Sequence, residues 1–388
     1  MSSVVVENAV TGTLICERTV FPDMTVKQLQ DAVQSALQDS GSAIGFGKIT
    51  LLHEGSFLTV GGHTLEQAGL HGTCLVQALQ CQRALMAAAC DDKHIALVDS
   101  ETHLALHSFV AHSRAVLCVA FAPGGRFLAS GSQDNTARIW EVSQDMPCIQ
   151  VLTGHQDAVA ALAFTPDGGR LLTGSWDETA KLWCWEAGVC LLTFSGHTKS
   201  VNSVSISSDG RLIATSSNDE TARVWCSEGG NGLLSLCGHQ HFVVSAKFSQ
   251  DASTILTASL DRTARLWDVK DGRCSVIFAG HASFVQHADF SWDGHLVITA
   301  SEDETAKIWH VSGVCLCTVL GHDAGHCREL IHAAFGPQDQ MVLASYGGQI
   351  HFWQQAASAS EAPRLLGTTA LRHRCLNGVA YFWPGTDA

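Results

Sequence analysis

Histidine, serine and aspartate, the residue types of hydrolytic triads, recur in this sequence at constant spacing. Residues 132–140 contain a serine and an aspartate ahead of Trp140, and His112 lies 28 residues before that tryptophan. A single His–Asp–Ser set would suggest hydrolytic chemistry, with histidine as the general base. The same segment returns as residues 175–183, 217–225, 259–267 and 301–309. Because an active site is needed once and not five times, the repetition favours a structural role.

The period of the repeat is that of a four-stranded propeller blade. Successive histidines are 43, 42, 42 and 42 residues apart, and each precedes its tryptophan by 28 residues. In the first unit, apolar runs at 116–121, 127–131, 137–142 and 148–152 are separated by turns rich in Gly, Asp and Pro. This pattern predicts an antiparallel sheet in each unit.

These residues resemble the WD-repeat family over roughly residues 84–383. In that family a histidine, a strand Ser or Thr, a turn Asp and a strand Trp form a buried hydrogen-bonded network, and the resemblance implies the same role here. Unpaired buried groups of these types are costly, so they persist only as a complete network. The implied sets are His112, Ser130, Asp134, Trp140; His155, Thr173, Asp177, Trp183; His197, Thr215, Asp219, Trp225; His239, Thr257, Asp261, Trp267; and His281, Thr299, Asp303, Trp309.

A sixth, less regular unit opens at His322 and ends at Trp353. It has an insertion at residues 324–329, and its turn at residues 346–348, Tyr-Gly-Gly, lacks the aspartate. We expect this blade to be less rigid than the others.

A seventh unit begins near Ala84 and has Val98-Asp99 where Trp-Asp would stand. Its missing first strand resembles residues 373–382 at the other end of the chain. The sequence therefore predicts an all-β seven-bladed propeller over residues 84–383, closed by its C-terminal strand. Such closure removes exposed sheet edges.

Residues 1–80 lack the repeat and have the element order β-β-α-β-β. Strand candidates lie at 4–9, 13–20, 49–53 and 73–79, and Thr25 with Gln28 makes a capping box for a helix. The apolar positions Val26, Leu29, Val33 and Leu37 share one face of that helix. The order resembles ubiquitin, which implies an N-terminal α+β ubiquitin-like (β-grasp) domain.

Two features depart from ubiquitin. The chain continues after Leu79 without a Gly-Gly terminus, so the domain cannot be conjugated. The apolar recognition patch of ubiquitin maps onto Val10, Leu52 and Gln77, and the last of these is polar. Two roles stay open, namely a contact for components of the ubiquitin system and a module that docks on the propeller.

Composition narrows the classes of partner and compartment. The formal charge of −14 argues against nucleic acids and anionic membranes. No apolar run reaches the length of a bilayer span, and the N-terminus lacks a secretory signal. The 15 cysteines are odd in number and scattered, which predicts buried free thiols and a cytoplasmic location, with the nucleus as an open alternative. Examples are Cys118, Cys190, Cys274 and Cys315.

Features of enzymes are scarce. His322, His326, Cys327 and His332 are metal-ligand types, but a closed zinc site needs four ligands and no Cys-x-x-Cys pair is present. The sequence has no phosphate-binding loop and no nucleophile elbow. We also expect no polar cluster in the channel lining outside the repeat positions. The prediction is a protein without cofactor, metal or catalysis.

Residues that break the repeat are better candidates for binding than those that make it. In WD-repeat proteins, partners often bind the face that carries the loop after the histidine and the residue before the turn Asp. Those positions include Trp176, Leu260, Phe242 and Phe284, which could form an apolar anchor. The alternative is that Phe242 and Phe284 pack into the blades.

The leading functional prediction is a protein-interaction scaffold, monomeric within a larger complex, with the ubiquitin-like domain as a second contact. The alternative is a substrate receptor of a cullin-type ubiquitin ligase. Residues 255–270 resemble the sixteen-residue box ending Trp-Asp-x-Arg/Lys of such receptors, and here the box ends in Lys270. An enzyme that uses the central channel is the third class.

Overall fold

The computed structural model describes residues 2–8, 14–20, 28–29, 48–53, 56–57, 74–81, 84–143, 145–320, 329–336, 340–354, 363–371 and 375–382. The chain forms two compact units, Met1–Arg83 with Val142–Pro147, and Ala84–Glu141 with Cys148–Ala388. Within these described ranges no helix is long and apolar enough to span a bilayer. The predicted domain limits, 1–80 and 84–383, stay predictions.

The described part of the N-terminal unit contains a five-stranded sheet in the order β2-β1-β5-β3-β4. β1 is parallel to β5, and the other neighbouring pairs are antiparallel. Gln28 and Leu29 are helical, and Leu29 is buried. Thr25, Val26, Val33, Leu37 and Val10 lie outside the described residues, while Leu52 pairs with Gln77 across β3 and β5. The strands are β1 Ser2–Asn8, β2 Leu14–Val20, β3 Lys48–His53, β4 Ser56–Phe57 and β5 Cys74–Cys81.

The second unit is an all-β seven-bladed propeller, as predicted. Its described strands form seven four-stranded antiparallel sheets. From inner to outer strand, blades 1 to 3 comprise β9 Val116–Phe121, β10 Phe127–Ser132, β11 Ala137–Glu141, β12 Cys148–Leu152; β13 Val159–Phe164, β14 Leu171–Ser175, β15 Thr179–Cys184, β16 Val189–Ser195; and β17 Val201–Ile206, β18 Leu212–Ser217, β19 Thr221–Cys226, β20 Gly232–Cys237.

Blades 4 to 6 follow in the same order, and blade 7 takes its inner strand from the C-terminal end. They comprise β21 Val243–Phe248, β22 Thr254–Ser259, β23 Thr263–Asp268, β24 Cys274–Ala279; β25 Val285–Phe290, β26 Leu296–Ser301, β27 Thr305–His310, β28 Cys315–Leu320; β29 Leu330–Phe335, β30 Gln340–Ser345, β31 Gln349–Gln354, β32 Arg364–Ala370; and β33 Leu376–Phe382, β6 Leu85–Cys90, β7 His94–Asp99, β8 Ala105–Val110.

The hydrophobic cores lie between neighbouring blades. In one of them Leu256 and Phe278 of blade 4 pack with Val297 and Trp309 of blade 5. The second strand of a blade is covered on both faces, so strands such as β22 are almost wholly buried. Outer strands have one solvated side, and β24 is exposed at four of its six positions. Each blade therefore depends on its neighbours for burial, which is why the ring must be closed.

Closure is made by β33, which pairs antiparallel with β6 so that Val379 lies opposite Ala88. Leu376 is fully buried in the core shared with blade 6. A Cβ at Gly378 would lie 3.0 Å from the backbone oxygen of Leu117 in blade 1. Glycine thus permits the close approach of the last inner strand to the first.

Leu376→Ala should lower the free energy of unfolding by about 2–5 kcal/mol, because it leaves a cavity at the closure. The matched control is Leu366→Ala on β32, where the side chain is 40% exposed and the loss should be below about 1 kcal/mol. Urea unfolding of the full chain measures both. Equal losses for the two variants would mean that β33 does not hold the ring closed.

Candidate functional site

The recurring polar residues form a chain of hydrogen bonds inside each regular blade. In blade 4 the indole N–H of Trp267 donates to the Thr257 hydroxyl at 2.8 Å. The hydroxyl lies 2.7 Å from His239 Nε2, and His239 Nδ1 lies 2.7 Å from an Asp261 carboxylate oxygen. Since the carboxylate can only accept, Nδ1 carries the ring proton, and Nε2 accepts the hydroxyl proton of Thr257.

The same relay is present in blades 1, 2, 3 and 5. The distance from histidine Nε2 to the hydroxyl is 2.7 or 2.8 Å. The indole nitrogen lies 2.8 or 2.9 Å from the same oxygen. Histidine Nδ1 lies 2.7–3.0 Å from the aspartate. Because each Nε2 is occupied by a buried hydroxyl, these histidines cannot serve as bases for a substrate.

The aspartate holds a strained turn. The Asp303 carboxylate accepts hydrogen bonds from the backbone N–H of Ala282 at 2.8 Å and from the Thr305 hydroxyl at 2.6 Å. Glu304, the residue between Asp303 and Thr305, has a φ of 70°. That left-handed backbone is costly for a residue with a Cβ. Burial alone would raise the pKa of Asp303, but hydrogen bonds from Thr305, Ala282 and His281 outweigh it and hold the pKa at about 2. The charged aspartate therefore fixes the turn.

Blade 6 lacks this relay in its described part. Leu343 occupies the position of the Ser or Thr, as its pairing with His351 matches that of Thr257 with Arg265. The indole nitrogen of Trp353 is buried and has no hydrogen-bond partner among the described residues. His322, the histidine predicted for this blade, lies outside the described residues.

Trp267→Phe should therefore lower the free energy of unfolding more than Trp353→Phe, by about 1–3 kcal/mol. The first substitution removes a hydrogen bond to a buried hydroxyl, whereas the second removes a donor that has no acceptor within the described part of the chain. Chemical unfolding of the two variants beside the wild type gives the difference. Equal losses would show that packing of the indole, and not the relay, provides the stability.

Acid should also destabilise the propeller. Burial lowers the pKa of several histidines, so their neutral form is favoured in the folded state; they are His112, His239, His281, His287 and His332. The unfolded chain binds more protons below a pH of about 6.5, and stability is lost as pH falls through that range. Urea midpoints at pH values of about 7.5, 6.5 and 5.5 should decrease in that order. A midpoint that is unchanged or rises would contradict this assignment.

One face of the propeller carries a ring of equivalent positions, which we name the upper ring. In every blade a backbone N–H in the turn between the second and third strands donates to a carbonyl just before the inner strand, at 3.0 Å in all seven cases. These bonds fix the loops at the channel mouth. The donor and acceptor residues in blades 1 to 7 are Gln133 and Ala115, Trp176 and Ala158, Asn218 and Ser200, Leu260 and Phe242, Glu302 and Phe284, Tyr346 and Glu329, and Asp91 and Cys375.

All four predicted partner-binding residues belong to the upper ring. Trp176 and Phe284 are each 37% exposed, while Leu260 and Phe242 are half-buried. The Phe242 ring packs against His241 at 4.6 Å, and the amine of Lys199 lies over it at 5.6 Å. The His241 ring is also 5.8 Å from that of Phe284.

Leu260, Phe242 and Phe284 thus form an apolar sector on blades 4 and 5, which His241 connects. Trp176 belongs to blade 2 and lines the channel. Phe242 is half-buried and Phe284 is 37% exposed, and a role of either residue in binding a partner stays a prediction.

The expectation of a channel without a polar cluster is wrong. Lys247 and Asp289 form an ion pair of 2.7 Å between β21 and β25. The rings of His287 and His332 stack at 3.8 Å, and the Tyr381 ring lies 5.7 Å from His332. Comparing the third and fifth positions of the inner strands would have found four of these residues, because other blades have small side chains there, such as Ala161 and Ala334. The four are Lys247, Asp289, His287 and His332.

The contacts of the channel residues run between blades. His287 Nδ1–H donates to the backbone oxygen of Ala333 at 2.9 Å. Asn202 donates in the same manner to Val243 at 3.0 Å. The inner strand has a backbone edge without a strand partner, so such bonds satisfy its carbonyl groups. The polar cluster therefore joins blades.

Two further predictions concern metal and thiol residues. Among the described residues, no group of three or more His, Cys, Asp or Glu could hold a metal ion. His322, His326 and Cys327 lie outside those residues. The described cysteines are free, but the expectation of burial is wrong for three of the four examples. Cys190, Cys274 and Cys315 are exposed because they lie on outer strands, and Cys118 is half-buried.

Known proteins share the repeat. A family profile described as "WD domain, G-beta repeat" matches residues 104–141, 146–184, 188–226, 230–268 and 272–310, half of the chain. Striatin-4 of Mus musculus is 37% identical over 92 residues, which are 23% of this chain and 12% of striatin-4. Striatin of Homo sapiens is 41% identical over 63 residues, 16% of this chain and 8% of striatin. The matches thus span about an eighth or less of these relatives.

Proposed function

The chain belongs to the WD-repeat family, and on that premise we propose that it is a non-catalytic protein-interaction scaffold. The upper ring would bind one partner protein, and the N-terminal unit would contact a second. Two sites on one chain raise the effective concentration of one partner near the other. The compartment that we propose is the cytoplasm.

The observation that carries the proposal is the exposure of large apolar side chains on a rigid rim. Trp176 and Phe284 extend from loops whose backbone hydrogen bonds are satisfied. Aromatic side chains held in this way lose little conformational entropy when they bind, and such residues dominate interface energies. Leu260 and Phe242 enlarge the apolar surface beside Phe284.

A non-catalytic role is supported by the chemistry of the polar groups. The histidines of the relay use both ring nitrogens within the protein, as His239 does with Thr257 and Asp261. In the channel, Lys247 is neutralised by Asp289. Both kinds of contact lie within the protein, which supports a structural role for these groups.

For the N-terminal unit we propose a ubiquitin-like module that serves as the second contact. Support comes from the strand order β2-β1-β5-β3-β4 with β1 parallel to β5, and from helical residues between β2 and β3. In ubiquitin-like folds the first and last strands likewise lie parallel at the centre of the sheet. Components of the ubiquitin system are candidate partners of this unit.

Replacing Trp176, Leu260, Phe242 and Phe284 together by alanine should remove the propeller's partner from affinity captures of the full chain. The control is Trp292→Ala, because Trp292 is 46% exposed in the turn between β25 and β26, at the opposite face. Quantitative mass spectrometry compares the captures, and thermal melting verifies that each variant is folded. A partner list unchanged by the quadruple variant would contradict the proposal.

The same captures examine the second candidate, a substrate receptor of a cullin-type ubiquitin ligase. Asp268 and Lys270, at the end of the sixteen-residue box, are both exposed, which this function requires. The Lys270 N–H donates to the Asp268 carboxylate at 2.7 Å, so the carboxylate also has a local role in the turn. A cullin-ligase adaptor that disappears on replacing these two residues would favour the receptor over the scaffold.

A further inference from the structure

We propose that the partner of the upper ring inserts a Lys or Arg side chain into the channel mouth, beside apolar residues that cover Phe242 and Phe284. This inference rests on the proposed function and adds the chemistry of the partner. It assigns a role to Glu302, Glu329 and Tyr346 of blades 5 and 6, which are not part of the apolar anchor.

The first observation is the distribution of charge around the upper ring. Three neighbouring blades each contribute one carboxylate to the upper ring: Glu302 in blade 5, Glu329 in blade 6 and Asp91 in blade 7. None of the fourteen ring residues is Lys or Arg. We name this side the acidic sector. It adjoins the apolar sector, since Glu302 donates its backbone N–H to Phe284.

The second observation concerns the cavity below the mouth, which has a volume of about 990 Å³. Among the described residues of its lining, Asp289, Glu302 and Glu329 are carboxylates and Lys247 is the ammonium group. The 2.7 Å ion pair neutralises Lys247 and Asp289, so Glu302 and Glu329 supply the remaining negative charge. Burial lowers the pKa of His287 and His332, and neither ring adds a compensating positive charge near neutral pH.

Aromatic rings at the same mouth favour a cation. Tyr346 is 38% exposed and Trp176 is 37% exposed, and both line the cavity. The faces of such rings attract Lys and Arg side chains. Gln286 donates to one oxygen of Glu302 at 2.6 Å and thereby orients the carboxylate. The positively charged end of a Lys or Arg side chain fits this combination of acid and aromatic groups.

Exposed basic residues lie on both sides of the ring, with Arg262 in the turn of blade 4 and Lys93 after Asp91 and Asp92 in the turn of blade 7. Arg114 and Lys199 are exposed in the loops after the histidines of blades 1 and 3, and Lys199 lies over Phe242. The turns of blades 5 and 7 carry more carboxylates than basic groups, so this side of the face keeps an excess of negative charge, and the apolar sector lies next to it. This asymmetry would set the direction in which a partner segment lies across the mouth.

Selection of random twelve-residue peptides displayed on phage against the full-length protein tests the inference. The selected peptides should be enriched in Lys or Arg near apolar residues. A synthetic copy of the strongest binder should bind the Glu302→Gln/Glu329→Gln variant about tenfold more weakly than the wild type. Each ion pair between the peptide and a glutamate contributes only modestly to the free energy of binding. The matched control, Glu186→Gln/Glu228→Gln, alters two exposed carboxylates in turns of the opposite face and should leave the dissociation constant unchanged.

Fluorescence anisotropy of the labelled peptide supplies the dissociation constants, and high salt should weaken binding to the wild type more than to the glutamine variant. Peptides without basic residues, no enriched peptides, or equal affinity for the two proteins would overturn the inference. Binding that needs Phe242 and Phe284 but not the two glutamates would overturn it while leaving the scaffold function in place.

Discussion

The structure of the propeller depends on one interaction, the relay from tryptophan through a hydroxyl and a histidine to an aspartate. Each of these side chains is buried or nearly buried, and burying any of them without a hydrogen-bond partner would destabilise the fold. Joined, they connect a strand, a turn and the loop that leads into the blade. In blade 5 the relay runs from Trp309 to Asp303, and the aspartate holds Glu304 in a conformation that favours glycine. In blades 1 to 5 the loops of the upper ring begin and end at these hydrogen-bonded residues.

The backbone hydrogen bonds of the upper ring hold its turns in place, so the side chains at these positions are free to vary and to contact a partner. The positions before the turn aspartate vary from Gln133 to Trp176 to Glu302, while the backbone hydrogen bond of each stays the same. The scaffold therefore separates the residues that set the fold from those that contact a partner. Blade 6 differs, since Leu343 stands in place of the Ser or Thr, and the Trp353 indole nitrogen has no partner in the part of the blade that the structure describes.

The sequence predicts the propeller well because its repeat encodes local structure. The run 148–152 predicted as a strand coincides with β12, and the strand at the C-terminal end pairs with β6 as blade 7 requires. The repeat pattern does not show which residues of neighbouring blades contact each other. His287 and His332 are 45 residues apart, and only the ring geometry stacks them. The burial of Cys190 was predicted wrongly for a similar reason, since strand type does not reveal which strand is outermost. The prediction of a ubiquitin-like domain stays a prediction.

Amide hydrogen exchange of the full chain, free and bound to its captured partner, tests the central claim most directly. The account predicts that binding slows exchange in the upper-ring turns, around residues 241–243, 260–262 and 302–304, and leaves the turn at residues 291–294 on the opposite face unchanged. Protection confined to the opposite face or to the outer strands would contradict the claim that the upper ring is the binding surface.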